Sequence, residues 1–392
     1  MNNFQYFTPT RVVFGKDTES QVGTLIKEQN CTKVLVHYGT GSVKRSGLLD
    51  RVYASLDEAG ISYVSLGGVV PNPRLSMVYQ GIELCKKEGV DFILAVGGGS
   101  AIDSAKAIAY GMKYDGDVWD LYSKKEVPKD ATPLGVILTI AATGSEMSDS
   151  SVITNEEGWL KRGLSSNLSR PRFAIMNPEL TYTLPEYQTM SGCTDIMMHT
   201  MERYFSHEMD TNLTDYLAEG LLKAVMQASK VLLKNPKDYD ARAEVLWAGS
   251  LSHNGLTGCG RSGDWACHQL EHELGGMFDV AHGAGLAAVW GSWARYVYKS
   301  DVARFAKFAV NVMGIAYNYA DPEKTAVEGI EALEDFFRSI HMPVSISELG
   351  VELTEEQIKE LAYKCTFMGK RTIGGMKKLV QEDIEEIYRM AK

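Results

Sequence analysis

Between Lys33 and Leu138 the chain alternates short, almost wholly apolar runs with amphipathic stretches. KVLVHYG (33–39) is a run of strand formers closed by glycine, and SGLLDRVYASLDEAG (46–60) carries apolar residues at helical spacing up to its own glycine. ISYVSLGGV, DFILAVGGGS and PLGVILTIAATGSE read as further strands; among them PNPRLSMVYQGIELCKKEG reads as a loop followed by a helix and SAIDSAKAIAYGM as a helix. A strand that is apolar on both faces must be covered on both faces. The alternation therefore predicts a parallel sheet flanked by helices, since parallel neighbours need a crossover and the crossover is usually a helix.

The pattern changes after NPELTYTLPEYQ (177–188), where Pro185 sits in a polar turn. From there the chain reads as helices: TDIMMHTMERYFS, DYLAEGLLKAVMQASKVLL, ARAEVLWAGSLSHNG, VARFAKFAVNVMG and AVEGIEALEDFFRSI. With 392 residues, the chain is long enough for two cores. The expected domains are an α/β domain over 1–184 and an all-helical domain over 185–392. The net charge of −10 and the lack of a basic cluster argue against a nucleic-acid surface. No apolar run is long enough to span a bilayer, and the N-terminus lacks the charged and apolar regions of a signal peptide. The six cysteines, Cys31, Cys85, Cys193, Cys259, Cys267 and Cys365, are scattered without a CxxC, which suits reduced thiols in a cytoplasmic protein.

Three glycine- or hydroxyl-rich turns follow predicted strands. In LAVGGGSAIDSAK, Gly97, Gly98 and Gly99 let the backbone approach a ligand, and Ser100 can cap a helix whose first N–H groups favour a phosphate. The spacing is not G-x-G-x-x-G, so a tight turn that needs glycine for packing is an equal reading. After the first strand, Gly39, Gly41, Ser42 and Lys44 stand where NAD-binding chains usually hold an acidic residue. Small residues with a hydroxyl and a cation leave room for a 2′-phosphate; the alternative is a helix start capped by Ser42, with Lys44 solvated. Thr139, Thr143 and Ser145 form a hydroxyl-rich loop where open α/β sheets place ligands, or else Ser145 or Ser148 caps a following helix.

The helical half holds most of the histidines. Asp195 and His199 are four apart on one helix face, as are His268 and His272, and His282 follows between glycines. Taken alone, Asp195 and His199 read first as a helix start with an acid in its first turn and a histidine in a polar spot; with the later histidines, a carboxylate and imidazoles converging on one point suit Fe²⁺ or Zn²⁺. The pattern is not H-E-x-x-H, and spacing alone does not choose between His268 and His272 as a ligand. Cys267 neighbours His268 on the same helix and points elsewhere, while Cys259 reads as a buried small residue. His37, His207, His253 and His341 lack such company and read as structural or surface groups.

Together, TRVVFGK, YGTGSVKRSG, PNPR, LAVGGGSAIDSAK, TIAATGSEMS, the Asp195/His199 helix and HELGGMFDVAHGAGLA resemble the iron-containing (group III) alcohol dehydrogenase family nearly end to end. Within it the likeness is to the NADPH-dependent butanol dehydrogenase and aldehyde reductase branch. The resemblance implies an N-terminal dinucleotide-binding α/β domain and an all-α metal-binding domain, with the site in the cleft between them. It implies Asp195, His199, His268 and His282 as metal ligands, with His272 beside the substrate. It places Gly97, Gly98, Gly99 and Ser100 under the pyrophosphate, Asp103 near the nicotinamide, and Thr139, Thr143 and Ser145 along the cofactor cleft. The loop at Gly39 follows the NADP(H)-using relatives. Hydride transfer between nicotinamide and a small aliphatic aldehyde or alcohol is the implied reaction, in a homodimer or larger homo-oligomer. The rivals of similar architecture are glycerol or another polyol dehydrogenase and a dehydroquinate synthase-like lyase.

Overall fold

The structure is a computed structural model that describes all residues from Met1 to Lys392. It divides into two compact units, Phe7–Leu184 and Pro185–Lys392, the second joined by Met1–Tyr6. Those first residues belong with the helical unit because Asn2 donates its backbone N–H to the Gly260 carbonyl at 2.7 Å and its side-chain amide to Glu208 at 2.6 Å.

The strands of the Phe7–Leu184 unit are β1 (Arg11–Phe14), β2 (Lys33–Gly39), β3 (Ser62–Val69), β4 (Phe92–Gly97), β5 (Leu134–Leu138), β6 (Ser150–Asn155), β7 (Leu160–Ser165) and β8 (Phe173–Met176). Its helices are α1 (Val22–Lys27), α2 (Ser42–Arg45), α3 (Leu48–Glu58), α4 (Leu75–Glu88), α5 (Gly99–Gly111) and α6 (Val118–Tyr122). Six strands form one sheet in the order β1-β8-β5-β4-β2-β3, every pair parallel. The predicted α/β class is therefore the observed one. On one face of the sheet Val34, Val36, Leu94, Val96 and Ile137 pack against Val22, Ile26, Val52 and Leu56 from α1 and α3, all buried. Each such side chain contributes roughly 1.5–3 kcal/mol of burial. The order reverses between β2 and β4: β3 lies on one side of β2, and the chain then crosses to the other. A ligand crevice opens beyond the carboxyl ends of strands at such a switch point.

Two local expectations give way. No helix follows the TIAATGSEMS loop; the chain enters the antiparallel hairpin β6–β7 instead, so neither Ser145 nor Ser148 is a helix cap. Ser100 is not a cap either. Gly98 takes the cap position with extended backbone and α5 begins at Gly99; in the same way Gly41, not Ser42, precedes α2.

The second unit is helical, as its periodicity predicts. It comprises α7 (Glu186–Tyr204), α8 (Asn212–Lys234), α9 (Tyr239–His253), α10 (Ala266–Phe278), α11 (His282–Val297), α12 (Val302–Asn311), α13 (Pro322–Ser339), α14 (Glu355–Cys365) and α15 (Gln381–Ala391). Trp290, Trp293, Phe205, Phe305 and Phe308 form its aromatic core. No helix is long and apolar enough to cross a membrane.

Candidate active site and metal centre

Helix α7 is buried along nearly its whole length, so its polar residues must find partners inside the protein. Asp195, His199 and Glu202 recur at i, i+4 and i+7 and share one face. Asp195 Oδ1 lies 3.4 Å from His199 Nδ1, 3.7 Å from His268 Nε2 on α10 and 3.6 Å from His282 Nε2 at the first residue of α11. The donor atoms of Asp195, His268 and His282 all fall within 4.8 Å of one another, and the His199 ring stands 4.6 Å from that of His268. The four residues thus come from three helices to one place.

Their chemistry fits a divalent cation. Asp195 Oδ1, His199 Nδ1 and His268 Nε2 are buried atoms that make no hydrogen bond within the protein, and such atoms are rare unless something else satisfies them. Burial opposes charge on His268, yet Glu202 and Asp195 outweigh it and push its pKa up to about 9. Burial, followed by His253 and His268, holds His199 well below the ordinary imidazole range and so keeps it neutral. A buried carboxylate and imidazoles whose facing atoms lack a hydrogen bond match an N/O-ligated ion.

The glycines around His282 have a packing reason. A Cβ on Gly283 would come within 1.9 Å of the Ser191 carbonyl oxygen on α7, and one on Gly285 within 2.9 Å of Glu271 Cγ. Glycine lets α11 start pressed against α7 and α10, which carries His282 to the Asp195 carboxylate. His272, one turn beyond His268, lies at the edge of the cluster; its ring is 5.9 Å from that of His282 and 6.3 Å from that of His268.

Three residues join the cluster that spacing did not single out. The ring of His253, on α9, stands 4.1 Å from that of His199, which corrects its reading as an isolated histidine. Glu202 meets His268 Nδ1, and Glu271 meets His282 Nδ1. His37, His207 and His341 do lie outside it: His37 bridges Leu66 and Ser104, His207 meets Asp301, and His341 meets Glu186. Cys267 is buried and Cys259 only half-buried, with its thiol on the Gly255 carbonyl.

In the α/β unit, the three loops gather at the carboxyl ends of β2, β4 and β5. Gly97 ends β4, and its carbonyl accepts the N–H of Thr139 at 3.0 Å. A Cβ on Gly98 would reach Ile140 at 2.9 Å, and one on Gly99 would reach Thr143 at 2.3 Å. The glycine turn is therefore packed directly under the loop after β5, while Gly99 and Ser100 open α5 with the N–H groups of its positive end. Asp103 accepts from Ser145 Oγ at 2.6 Å and from the Val152 N–H at 2.9 Å. Gly39 ends β2, Gly41 precedes α2, and Ser42 and Lys44 lie within it, with Lys44 Nζ 5.2 Å from the Tyr38 ring centre. No acidic side chain stands between Gly39 and Lys44.

A parallel sheet with such loops at its switch point suits a dinucleotide, and the Asp/His₃ cluster of the helical unit suits a divalent metal. The chain belongs to the iron-containing alcohol dehydrogenase family: the family's iron-containing alcohol dehydrogenase model matches residues 9–178, and its C-terminal model matches 189–392. The chain is 40% identical to the probable NADH-dependent butanol dehydrogenase 1 of Bacillus subtilis, over 99% of each chain. It is 34% identical to the NADPH-dependent aldehyde reductase YqhD of Escherichia coli over 100% of both. The crystal structure of NADH-dependent butanol dehydrogenase A from Thermotoga maritima superposes with a TM-score of 0.96 at 38% identity, covering 100% of this chain and 99% of that one. These place the chain in the butanol dehydrogenase branch and make it an alcohol dehydrogenase, with the nicotinamide cofactor and divalent metal that the family implies.

Proposed function

We propose that the chain is an NADP(H)-using alcohol dehydrogenase and aldehyde reductase for small aliphatic substrates, with Asp195, His199, His268 and His282 as ligands of Fe²⁺ or Zn²⁺. The observation that carries the ligand set is the single Asp195 oxygen within 3.4–3.7 Å of three imidazole nitrogens. Bound there, a divalent ion supplies Lewis-acid polarisation of a substrate oxygen, and the nicotinamide supplies or accepts hydride. His272 moves the proton to or from that oxygen, directly or through water, since imidazole titrates near neutral pH. Gly97 to Ser100 hold the pyrophosphate at the start of α5, with Asp103, Thr139, Thr143 and Ser145 shaping the loop beside it.

NADP(H) rests on the 39–44 loop, where Gly39, Gly41, Ser42 and Lys44 offer space, a hydroxyl and a cation to a 2′-phosphate. NADH is the second reading, favoured by the butanol dehydrogenases of B. subtilis and T. maritima, which are named NADH-dependent. A homodimer or larger homo-oligomer in the cytoplasm completes the reading, supported by the exposed Phe4 and Phe7, the open edge at β1 and six free cysteines.

The test is the initial rate of butyraldehyde reduction by chelator-stripped protein, with NADPH or NADH and with Fe²⁺ or Zn²⁺ restored in turn. Metal-restored turnover with NADPH above NADH is expected. Turnover that needs no metal would sink the ligand set, and a preference for NADH would sink the reading of the 39–44 loop.

A further inference from the structure

Two of the imidazoles are each backed by a glutamate from another helix. Glu202 on α7 presents one oxygen to His268 Nδ1, while its other oxygen accepts the backbone N–H of His268 at 3.0 Å. Glu271 lies three residues after His268 on α10 and presents an oxygen to Nδ1 of His282 on α11. Both carboxylates are buried, at 1% and 0% side-chain exposure. The pairs hand on from helix to helix, α7 to α10 and α10 to α11.

We propose that Glu202 and Glu271 are positioning residues for the metal. An imidazole that ligates a metal through Nε2 keeps one N–H, and a carboxylate at Nδ1 holds that proton there. The Nε2 lone pair is then free for an ion, and the ring plane is fixed. That is the geometry seen: His268 and His282 both turn Nε2 toward Asp195 Oδ1. Such outer partners tune the affinity of metal sites and the basicity of the ligand. The glycine at 285 belongs to the same device, because a Cβ there would press on the Glu271 stem. The inference rests on the ligand assignment proposed above for His268 and His282.

The experiment reads metal affinity rather than turnover. Parent protein, Glu202→Leu, Glu202→Gln, Glu271→Leu and Glu271→Gln are stripped by chelator and titrated with Zn²⁺ against a chromophoric competitor. The melting midpoint of each stripped protein is measured beside it. The leucine variants are expected to weaken Zn²⁺ about 10–100-fold. The glutamine variants, whose amide oxygen still accepts the Nδ1 proton, are expected to recover part of that loss. A site in which these carboxylates only support the fold would show lower midpoints with the parent Zn²⁺ affinity, and that result overturns the proposal. If Glu202→Leu does not fold, Glu271→Leu and the two glutamine variants decide on the same criterion. Asp195→Ala is the control on the ligand set: parent affinity there overturns the ligand assignment itself, whereas loss there with parent affinity in the glutamate variants overturns this inference alone.

Discussion

Asp103 and Ser145 are joined by a 2.6 Å hydrogen bond that ties the first turns of α5 to the loop after β5. The second Asp103 oxygen takes the Val152 N–H, and one turn on Lys106 donates to the carbonyls of Ser148 and Ser150 at 2.9 and 2.8 Å. Burial draws the Lys106 ammonium down to about 8. The loop proposed to line the cofactor is thus held to the helix proposed to bind its phosphates. Asp103→Ala removes two charge-assisted bonds of roughly 1.5–3 kcal/mol each. Even a partial transfer of that loss to binding predicts at least about tenfold weaker nicotinamide cofactor by fluorescence titration. Parent affinity in Asp103→Ala would show that the clamp is irrelevant to the cofactor.

Gly39 tolerates a side chain, since a Cβ there meets the Val69 carbonyl only at an ordinary 3.5 Å. Gly39→Asp should therefore fold and set a carboxylate where a 2′-phosphate would lie. The expected outcome is a shift of kcat/KM from NADPH toward NADH by tenfold or more, on the order of a like-charge penalty of 1.4 kcal/mol. An unchanged cofactor ratio would remove the 2′-phosphate from this loop.

His272→Ala should keep its metal and lose turnover. Loss of a general acid–base costs about 10²–10⁴ in rate. Metal content by elemental analysis and kcat from pH 6 to 9 check it together. Parent turnover across that range excludes His272 as the proton carrier.

Position 283 is closed to any Cβ by the Ser191 carbonyl. Gly283→Ala must push α11 from α7, at about 1–3 kcal/mol. A melting midpoint several degrees lower is expected, together with weakened metal binding because His282 moves with the helix. An unshifted midpoint would show that the helices part without cost.

His37 supplies a pH signature away from the metal. Burial pushes its imidazole down to about 4, and its two nitrogens are taken by the Leu66 carbonyl and Ser104 Oγ. The folded chain keeps this ring neutral, whereas the unfolded chain protonates it near 6.5. Its contribution is therefore complete above pH 6.5 and is lost as the pH falls toward 4, to a total on the order of 3 kcal/mol. Denaturant titrations of His37→Gln should give a flatter acid limb between pH 6.5 and 4. An identical slope would refute the assignment.

The strands and helices legible in the sequence were those with a strong period. KVLVHYG is β2 residue for residue, and the apolar stretch before GGGS is β4. The Asp195/His199 spacing is read from a single helix, and both side chains do meet in the cluster. What escaped depends on packing between distant segments. His253 reaches His199 only because α9 lies beside α7, and Glu202 is sixty-six residues from His268. The hairpin β6–β7 was missed because its strands, SSVITN and LKRGLS, are short and mixed in polarity around a Glu-Glu-Gly turn. Ser100 misled because a serine after glycines resembles a cap, while the cap falls two residues earlier, at Gly98.

The helix-to-helix relay of carboxylate and imidazole has a consequence for the life of the chain in a cell. An ion held as proposed by α7, α10 and α11 would stabilise only the arrangement in which the three are docked, adding its binding energy to that of the helical unit. With the ion scarce, the helical unit would then open more often and offer backbone to proteases. Limited proteolysis with and without Zn²⁺ reads this directly, and equal digestion rates would rule it out.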